Sequence, residues 1–321
     1  WHAPVDGEAL LDALASTLRR YVVMSDAAVT GAALWIVHSH AHSSARISPV
    51  LAITSPEKRC GKTTLLTLLN ALTRKPLPAS NITPAALFRS VEKWRPTLLI
   101  DEADTFLGQS DELRGIINSG HNRSAAFVIR TVGDDHEPCQ FSTWTPKAIA
   151  LIGALPGTLT DRSIPIELRR QTADEAAEPL RLESLNADAL QRKAARWADD
   201  HANILLRADS VIPEGVNDRA ADNWRHLLAI ADAAGGRWPE KARKALQRLQ
   251  PQDDDDAAGV MLLADIQEEF SHYICTTSAQ LVDRLIELED RPWAEWRRHP
   301  APQTTRRQPG RRQRVPPGRL R

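Results

Sequence analysis

Residues Ser55 to Thr64 read SPEKRCGKTT, and thirty-four residues after Thr63 the chain begins TLLIDEAD, Thr97 to Asp104. The first stretch follows an apolar run, Val50 to Ile53, and opens onto Leu65, Leu66, Leu68 and Leu69, whose spacing suits one face of a helix. The order is therefore strand, loop, helix. Such a loop aims backbone N–H groups and the positive end of a helix dipole at one point, a seat for phosphate. Lys62 then reaches the β- and γ-phosphates of a nucleotide, and the Thr63 hydroxyl holds Mg²⁺. The pattern G-x-x-x-x-G-K-[ST] asks for glycine where this chain has Pro56. Proline removes an N–H and fixes φ, so Pro56 shapes the entry turn and Gly61 supplies the close approach.

The second stretch supplies the opposite charge. Leu98, Leu99 and Ile100 form a short buried strand, and Asp101 and Glu102 stand at its C-terminal end, where open α/β sheets collect ligands. Asp101 is placed to hold the Mg²⁺ hydration shell, and Glu102 to polarise an attacking water. The candidate nucleotide-binding set is Ser55, Pro56, Glu57, Lys58, Arg59, Cys60, Gly61, Lys62, Thr63 and Thr64, with ATP and Mg²⁺ as the implied cofactors.

Working outward, Leu10, Leu11, Leu14, Leu18, Tyr21 and Val22 make an apolar helical stripe, and Ala27 to His38 reads as a second helix. The division expected is a helical segment over 1–45, a collar on an ATPase core over 46–170, a helical lid over 171–300 and a disordered basic tail over 301–321. Within the core, Pro76 to Pro84 reads as an irregular stretch and Ala85 to Glu92 as a helix. Asp111 to Asn118 also reads as a helix, while Ala126 to Val132, Lys147 to Ile152 and Ser163 to Leu168 read as strands. Helices are expected over 187–206, 220–234, 239–249 and 259–273.

Composition is that of a globular protein, with 42% apolar and 26% charged residues, and no apolar run approaches a membrane span. Basic and acidic residues number 41 each, yet residues 301–321 hold seven arginines and no acid, leaving 34 basic against 41 acidic in the body. The tail either touches nucleic-acid phosphates or is a solvated end. Three distant cysteines, Cys60, Cys139 and Cys275, argue for a reducing, cytoplasmic compartment. Cys60 is read as a small neutral filler in the loop. The chain starts at Trp1 and is expected to be a piece of a longer polypeptide.

Four further features admit two readings each. His38, His40 and His42 suit a metal site or, more simply, surface polarity. Asp253 to Asp256 suit a metal or an anionic helix start. Arg162, just before the last strand, stands where the AAA+ group of P-loop ATPases places an arginine that reaches a neighbouring subunit's γ-phosphate, or it makes an ordinary ion pair. Arg123, Arg130 and Lys147, interleaved with Phe141 and Trp144, suit a grip on single-stranded nucleic acid or a strand pair with buried aromatics.

The chain also resembles a bacterial and phage domain family of unknown function found in mobile-element proteins beside primase-type domains. The resemblance rests on SPEKRCGKTTLL at Ser55, LLIDEAD at Leu98, RGIINSGHNRS at Arg114, TPKAIALIGALPGTLTDRSIPIEL at Thr145 and LEDRPWAEW at Leu288. It implies a three-layer P-loop ATPase core of AAA+ type, similar to viral and plasmid helicases, and a helical lid with a winged-helix-like module at 255–300. Ile152 and Gly153 occupy the strand end where such helicases usually carry a polar sensor, so no sensor is assigned. The Pro, Gln and Arg composition after His299 also departs from the pattern.

Two functions follow as expectations. One is a Mg²⁺-dependent ATPase that assembles as a homo-oligomeric ring and moves or remodels DNA for a phage or mobile element. The other is an ATP-gated regulatory, loader or defence-associated switch acting on protein.

Overall fold

A computed structural model describes residues 1–103, 110–172, 174–175, 177–250, 254–272, 277–288 and 291–294. The chain divides into two compact units, Trp1–Pro251 and Gln252–Arg321.

The first unit is built on a five-stranded sheet. Its strands are β1 (Val50–Ser55), β2 (Pro76–Ala79), β3 (Thr97–Ile100), β6 (Lys147–Ile152) and β7 (Ser163–Glu167), in the order β2-β3-β6-β1-β7. Every pairing is parallel, with Val50 opposite both Lys147 and Ser163. Parallel strands need a crossover between each pair, and the helices that provide them cover both faces. Side chains alternate across a strand, and the two faces show it directly. Leu51, Ile53, Leu99, Ala148, Ala150, Ile164 and Ile166 pack with α1 (Gly7–Tyr21), α2 (Asp26–His40), α3 (Lys62–Leu72), α7 (Ala187–Arg207), α8 (Asp218–Ala234) and α9 (Trp238–Leu249). Val50, Ala52, Leu98, Ile100, Ile149 and Leu151 pack with α4 (Pro84–Trp94), α5 (Asp111–Ser119) and the short α6 (Gly157–Thr160). The result is a three-layer α/β arrangement.

The helices start where side-chain oxygens can take their free N–H groups. Asp6 caps α1 through Ala9, Ser25 caps α2 through Ala28, Thr83 caps α4 through Ala86 and Asn217 caps α8 through Ala220. α2 is apolar all round, and Ala32 to Val37 are fully buried, so it forms the centre of the helical layer rather than a collar. β2 lies in the stretch expected to be irregular. It pairs with β3 alone, at the sheet edge, where Pro76 and Pro78 cost no ladder bond on the open side.

Between β3 and β6 stands a separate antiparallel hairpin, β4 (Phe127–Val132) and β5 (Glu137–Ser142). This is the strand-pair alternative read for the segment around Phe141, although EPCQFS, with its proline and little alternation, did not mark the bounds of β5. The second unit contains α10 (Asp254–His272) and α11 (Ser278–Ile286), the latter started by a capping box between Thr277 and Gln280. The basic tail, Cys275, Asp253 and the end of the winged-helix-like segment lie outside the described residues. Among the described residues no helix is long and apolar enough to cross a membrane.

Candidate functional site

The C-terminal ends of β1, β3 and β6 open into a cavity of about 740 Å³. Lys58 to Thr64 line it from the β1 end, Asp101 and Glu102 from the β3 end and Ile152 from the β6 end. The sequence-predicted loop and carboxylates are thus brought to one place, across a sheet order in which β1 and β3 are separated by β6.

Local chemistry explains the loop's shape. Gly61 is the N-cap of α3 at φ +91, a conformation L side chains rarely adopt, and it offers no side chain to cap the helix. The first-turn N–H groups of α3 therefore face the cavity mouth without a side-chain acceptor from the cap. Arg59 and Glu102 are also left-handed, at φ +67 and φ +53, and non-glycine residues held this way cluster at functional sites. Lys62 is half-buried, donating to the Ser55 hydroxyl and, at 3.3 Å, to the Glu57 carbonyl. Those acceptors hold the ammonium in the loop's own concavity. Asp101 is fixed by its backbone N–H to Ala79 O at 3.1 Å, and its Oδ1 accepts from the Glu102 N–H at 2.9 Å. Cys60 is buried with its thiol toward Lys58 O, consistent with a filler. Ser55 and Pro56 line a neighbouring hollow of about 510 Å³, and the Glu57 carboxylate pairs with Arg170 at 2.9 Å.

The opposite wall went unread in the sequence. Tyr21, Val22 and Val23 come from the α1–α2 junction, and Arg169, Gln171, Ala177, Glu178, Pro179 and Leu180 from the strap after β7. One signal was available: Arg169 and Arg170 follow the last strand directly, at the sheet edge where ligands collect.

Arg162 is not in this cavity. Its carbonyl accepts from Val50 N–H, at the start of β1, so it stands about 16 Å from the Ser55 end, five strand rises away. Its guanidinium donates to Thr158 O at 2.6 Å and is half-buried.

The expected nucleic-acid residues separate. Arg123 lies on a surface hollow of about 720 Å³ with Arg74, Arg95 and Trp144, and donates to Ser43 O at 2.8 Å. Arg130 pairs with Glu112 at 2.8 Å and lies over the Phe88 ring. Lys147 is 2% exposed, its ammonium donating to Gly120 O at 3.0 Å and Thr145 O at 2.8 Å. Burial pushes its pKa down to about 7. The expectation that Lys147 meets a phosphate fails, because the first residue of a central strand points into the protein.

The histidines also differ from expectation. His38, His40 and His42 are all buried, and His226 of α8 joins His38 and His42. Ser44 gives its proton to Ala41 O, so it accepts from His226 Nε2–H. His226 Nδ1 then accepts from His38 Nδ1–H at 2.9 Å. His42 donates to Ser48, which donates to Thr145 O. Burial lowers the pKa of all four rings, to about 4 for His40 and His226. Among the described residues no group of three His, Cys, Asp or Glu side chains could hold a metal ion.

Residues 167–308 match a family described as a protein of unknown function, DUF3631. That match begins at the end of β7 and takes in the strap and α7 to α9, leaving the Ser55 to Thr64 loop and Asp101 outside it. An uncharacterized 28.9 kDa protein in the xis 5′ region of Saccharopolyspora erythraea is 31% identical over 131 residues, 39% of this chain and 49% of that protein. The matched part thus spans about half the length of that relative.

Proposed function

We propose that the cavity binds a Mg²⁺-nucleoside triphosphate and that the chain is a P-loop ATPase. The observation that carries this reading is the placing of Lys62, Thr63, Asp101 and Glu102 around one cavity at the C-terminal edge of a parallel sheet. In it the α3 N–H groups and Lys62 hold the phosphates. Thr63 and Asp101 hold Mg²⁺, which neutralises charge developing on the transferred phosphoryl group, and Glu102 orients the attacking water. Replacing Lys62 with alanine is expected to slow hydrolysis by about 10²- to 10³-fold, and Glu102→Gln to retain ATP binding while stopping turnover. Normal turnover in either variant removes the assignment.

The wider setting we propose is a ring-forming, helicase-like or DNA-remodelling motor of a phage or mobile element, in a protein that also carries a primase module. The location named for the Saccharopolyspora relative supports the mobile-element setting. Arg162 stands at the start of β7, away from its own cavity, and we assign it to a neighbour's cavity in the ring. Inactive Arg162→Ala protein is then expected to regain activity when mixed with Lys62→Ala protein. Absence of recovery in co-assembled mixtures counts against a shared interface.

A second reading, an ATP-gated switch acting on protein, has its own support. Of the three residues expected to grip nucleic acid, Lys147 is buried and Arg130 is paired, and the β4–β5 turn carries Asp134 and Asp135. Hydrolysis stimulated by single-stranded DNA favours the motor, and indifference to DNA favours the switch.

A further inference from the structure

The strap after β7 brings a cation to the cavity that the nucleotide-loop motif does not account for. Arg169 lines the cavity with Lys62 and Asp101, yet its guanidinium is turned onto Glu175, with both nitrogens of the fork engaged, Nη1 to Oε2 at 2.7 Å and Nη2 to Oε1 at 2.5 Å. Glu175 also accepts from the Thr172 N–H at 3.0 Å and the Thr172 hydroxyl at 3.1 Å. A carboxylate that takes a bidentate arginine together with a backbone N–H and a hydroxyl has the donor set that a phosphate oxygen pair would want. The strap is pinned on either side of Glu175. Arg170 holds Glu57 of the loop at 2.9 Å, and Glu178 holds Arg20 at 2.7 Å and takes part in a 2.9 Å backbone bond from its N–H to Arg20 O.

Resting on the triphosphate reading above, we propose that Arg169 is a second cationic phosphate ligand of this cavity and that Glu175 occupies its fork until the anion arrives. Magnitudes favour the exchange. The Arg169 side chain is 59% exposed and that of Glu175 30%, and an exposed ion pair changes an equilibrium by no more than about fivefold. A charge-assisted bond from arginine to phosphate, flanked by Lys62 and a helix N-terminus, is worth about tenfold to a hundredfold. The phosphate therefore wins the guanidinium, and the strap segment carrying Glu175 is freed while its pinned neighbours stay. The Arg169 guanidinium holds the Glu175 carboxyl below the usual carboxylate range, so it remains a carboxylate throughout the working pH range and titration does not release it.

The test is calorimetric titration of the full chain with Mg-ATP and, separately, with Mg-tripolyphosphate, which has neither base nor sugar. Arg169→Ala is expected to weaken both by about tenfold to a hundredfold. Glu175→Gln is expected to tighten both by up to about fivefold, and to have no effect in an Arg169→Ala background. Wild-type affinity in Arg169→Ala overturns the proposal. So does a loss for ATP without one for tripolyphosphate, which places Arg169 at the base or sugar, and so does an effect of Glu175→Gln that persists without Arg169. The Lys62→Ala protein separates the two levels of inference. If wild type binds Mg-ATP, Lys62→Ala does not, and Arg169→Ala binds normally, the site stands and only the arginine falls. If wild type and Lys62→Ala behave alike, the triphosphate reading fails and this proposal with it.

Discussion

The two edges of the parallel sheet handle charge in opposite ways. At the C-terminal edge, Lys58, Arg59, Lys62, Asp101, Glu102 and Arg169 stand around an open cavity, and several backbones there are left-handed. At the N-terminal edge, Lys147, His38, His42, His121, His226 and Asn223 are buried, and carbonyls, hydroxyls and one another take nearly all their polar atoms. One edge sets its polar groups around an open cavity, and the other uses them to join helices to strands. Asn223 shows the second use: its amide accepts from His121 Nε2 at 2.7 Å and donates to Asp161 O at 2.9 Å, tying α8 to the segments before β4 and before β7. Basic residues alone do not mark a binding surface: Lys147 is buried among carbonyls, whereas Lys62 and Arg169, though also bonded, line an open cavity.

Acid should break the buried edge first, and by the largest amount. The folded pKa values of His38, His40, His42 and His226 lie below the ordinary value of 6.5, mainly because burial disfavours the charged ring. The unfolded chain then binds more protons, so the stability these rings contribute is intact above pH 6.5 and is lost as pH falls toward 4. The loss is on the order of 1 kcal/mol per pH unit for each ring. Lys147, held near 7, is charged across that window and adds repulsion to His38 and His42. Chemical denaturation at pH 7.5, 6 and 5 is expected to show a steep fall, and a flat profile would refute the neutral cluster. Next in size is the effect of Lys62→Ala on turnover, about 10²- to 10³-fold for one preorganised donor. Its thermal midpoint should stay near wild type, since the side chain is half-buried and bonded only within its loop.

How much of this was legible follows the same division. The loop at Ser55 to Thr64 and the carboxylates after β3 were readable because each motif is contiguous and announces a strand end. β1, β3, β6 and β7 were readable as apolar runs, the signature of strands covered on both faces. The strap wall of the cavity was not, because Arg169 and Leu180 come to the same cavity as Lys62 only through the return of the chain across β7. The buried histidines were misread for a related reason. HSHAH at the end of α2 is polar locally, and only the arrival of His226 from α8, 188 residues after His38, encloses it. Lys147 opens a strand whose remaining residues are apolar, a warning against placing it on a surface.

Smaller substitutions sharpen the contrast. Asn223→Leu keeps the volume of a buried side chain but leaves His121 Nε2–H and Asp161 O without their partner, and should cost about 1–3 kcal/mol while Mg-ATP binding is retained. Loss of binding without loss of stability would mean that the buried edge communicates with the cavity.

The smallest expected change in stability is at Gly61, and it discriminates best. Two glycines serve the two edges for different reasons. Gly120 has an ordinary negative φ, but an added Cβ would meet the Thr143 carbonyl oxygen and come within 2.6 Å of Lys147 Nζ, so Gly120→Ala forces buried backbone apart. Gly61 meets only Val22 Cγ1, at 3.4 Å, and its requirement is the φ of +91. Gly61→Ala should therefore cost only about 1–2 kcal/mol, the penalty of a left-handed L-residue. The loop that escapes this penalty by rotating Gly61 no longer aims the α3 N–H groups at the cavity. Gly61→Ala is thus expected to remain folded and lose Mg-ATP binding, whereas Gly120→Ala is expected to lose stability and, where folded, still bind. Equal binding by Gly61→Ala and wild type, measured by the same titration, would mean that the positive φ belongs to chain geometry and not to phosphate recognition.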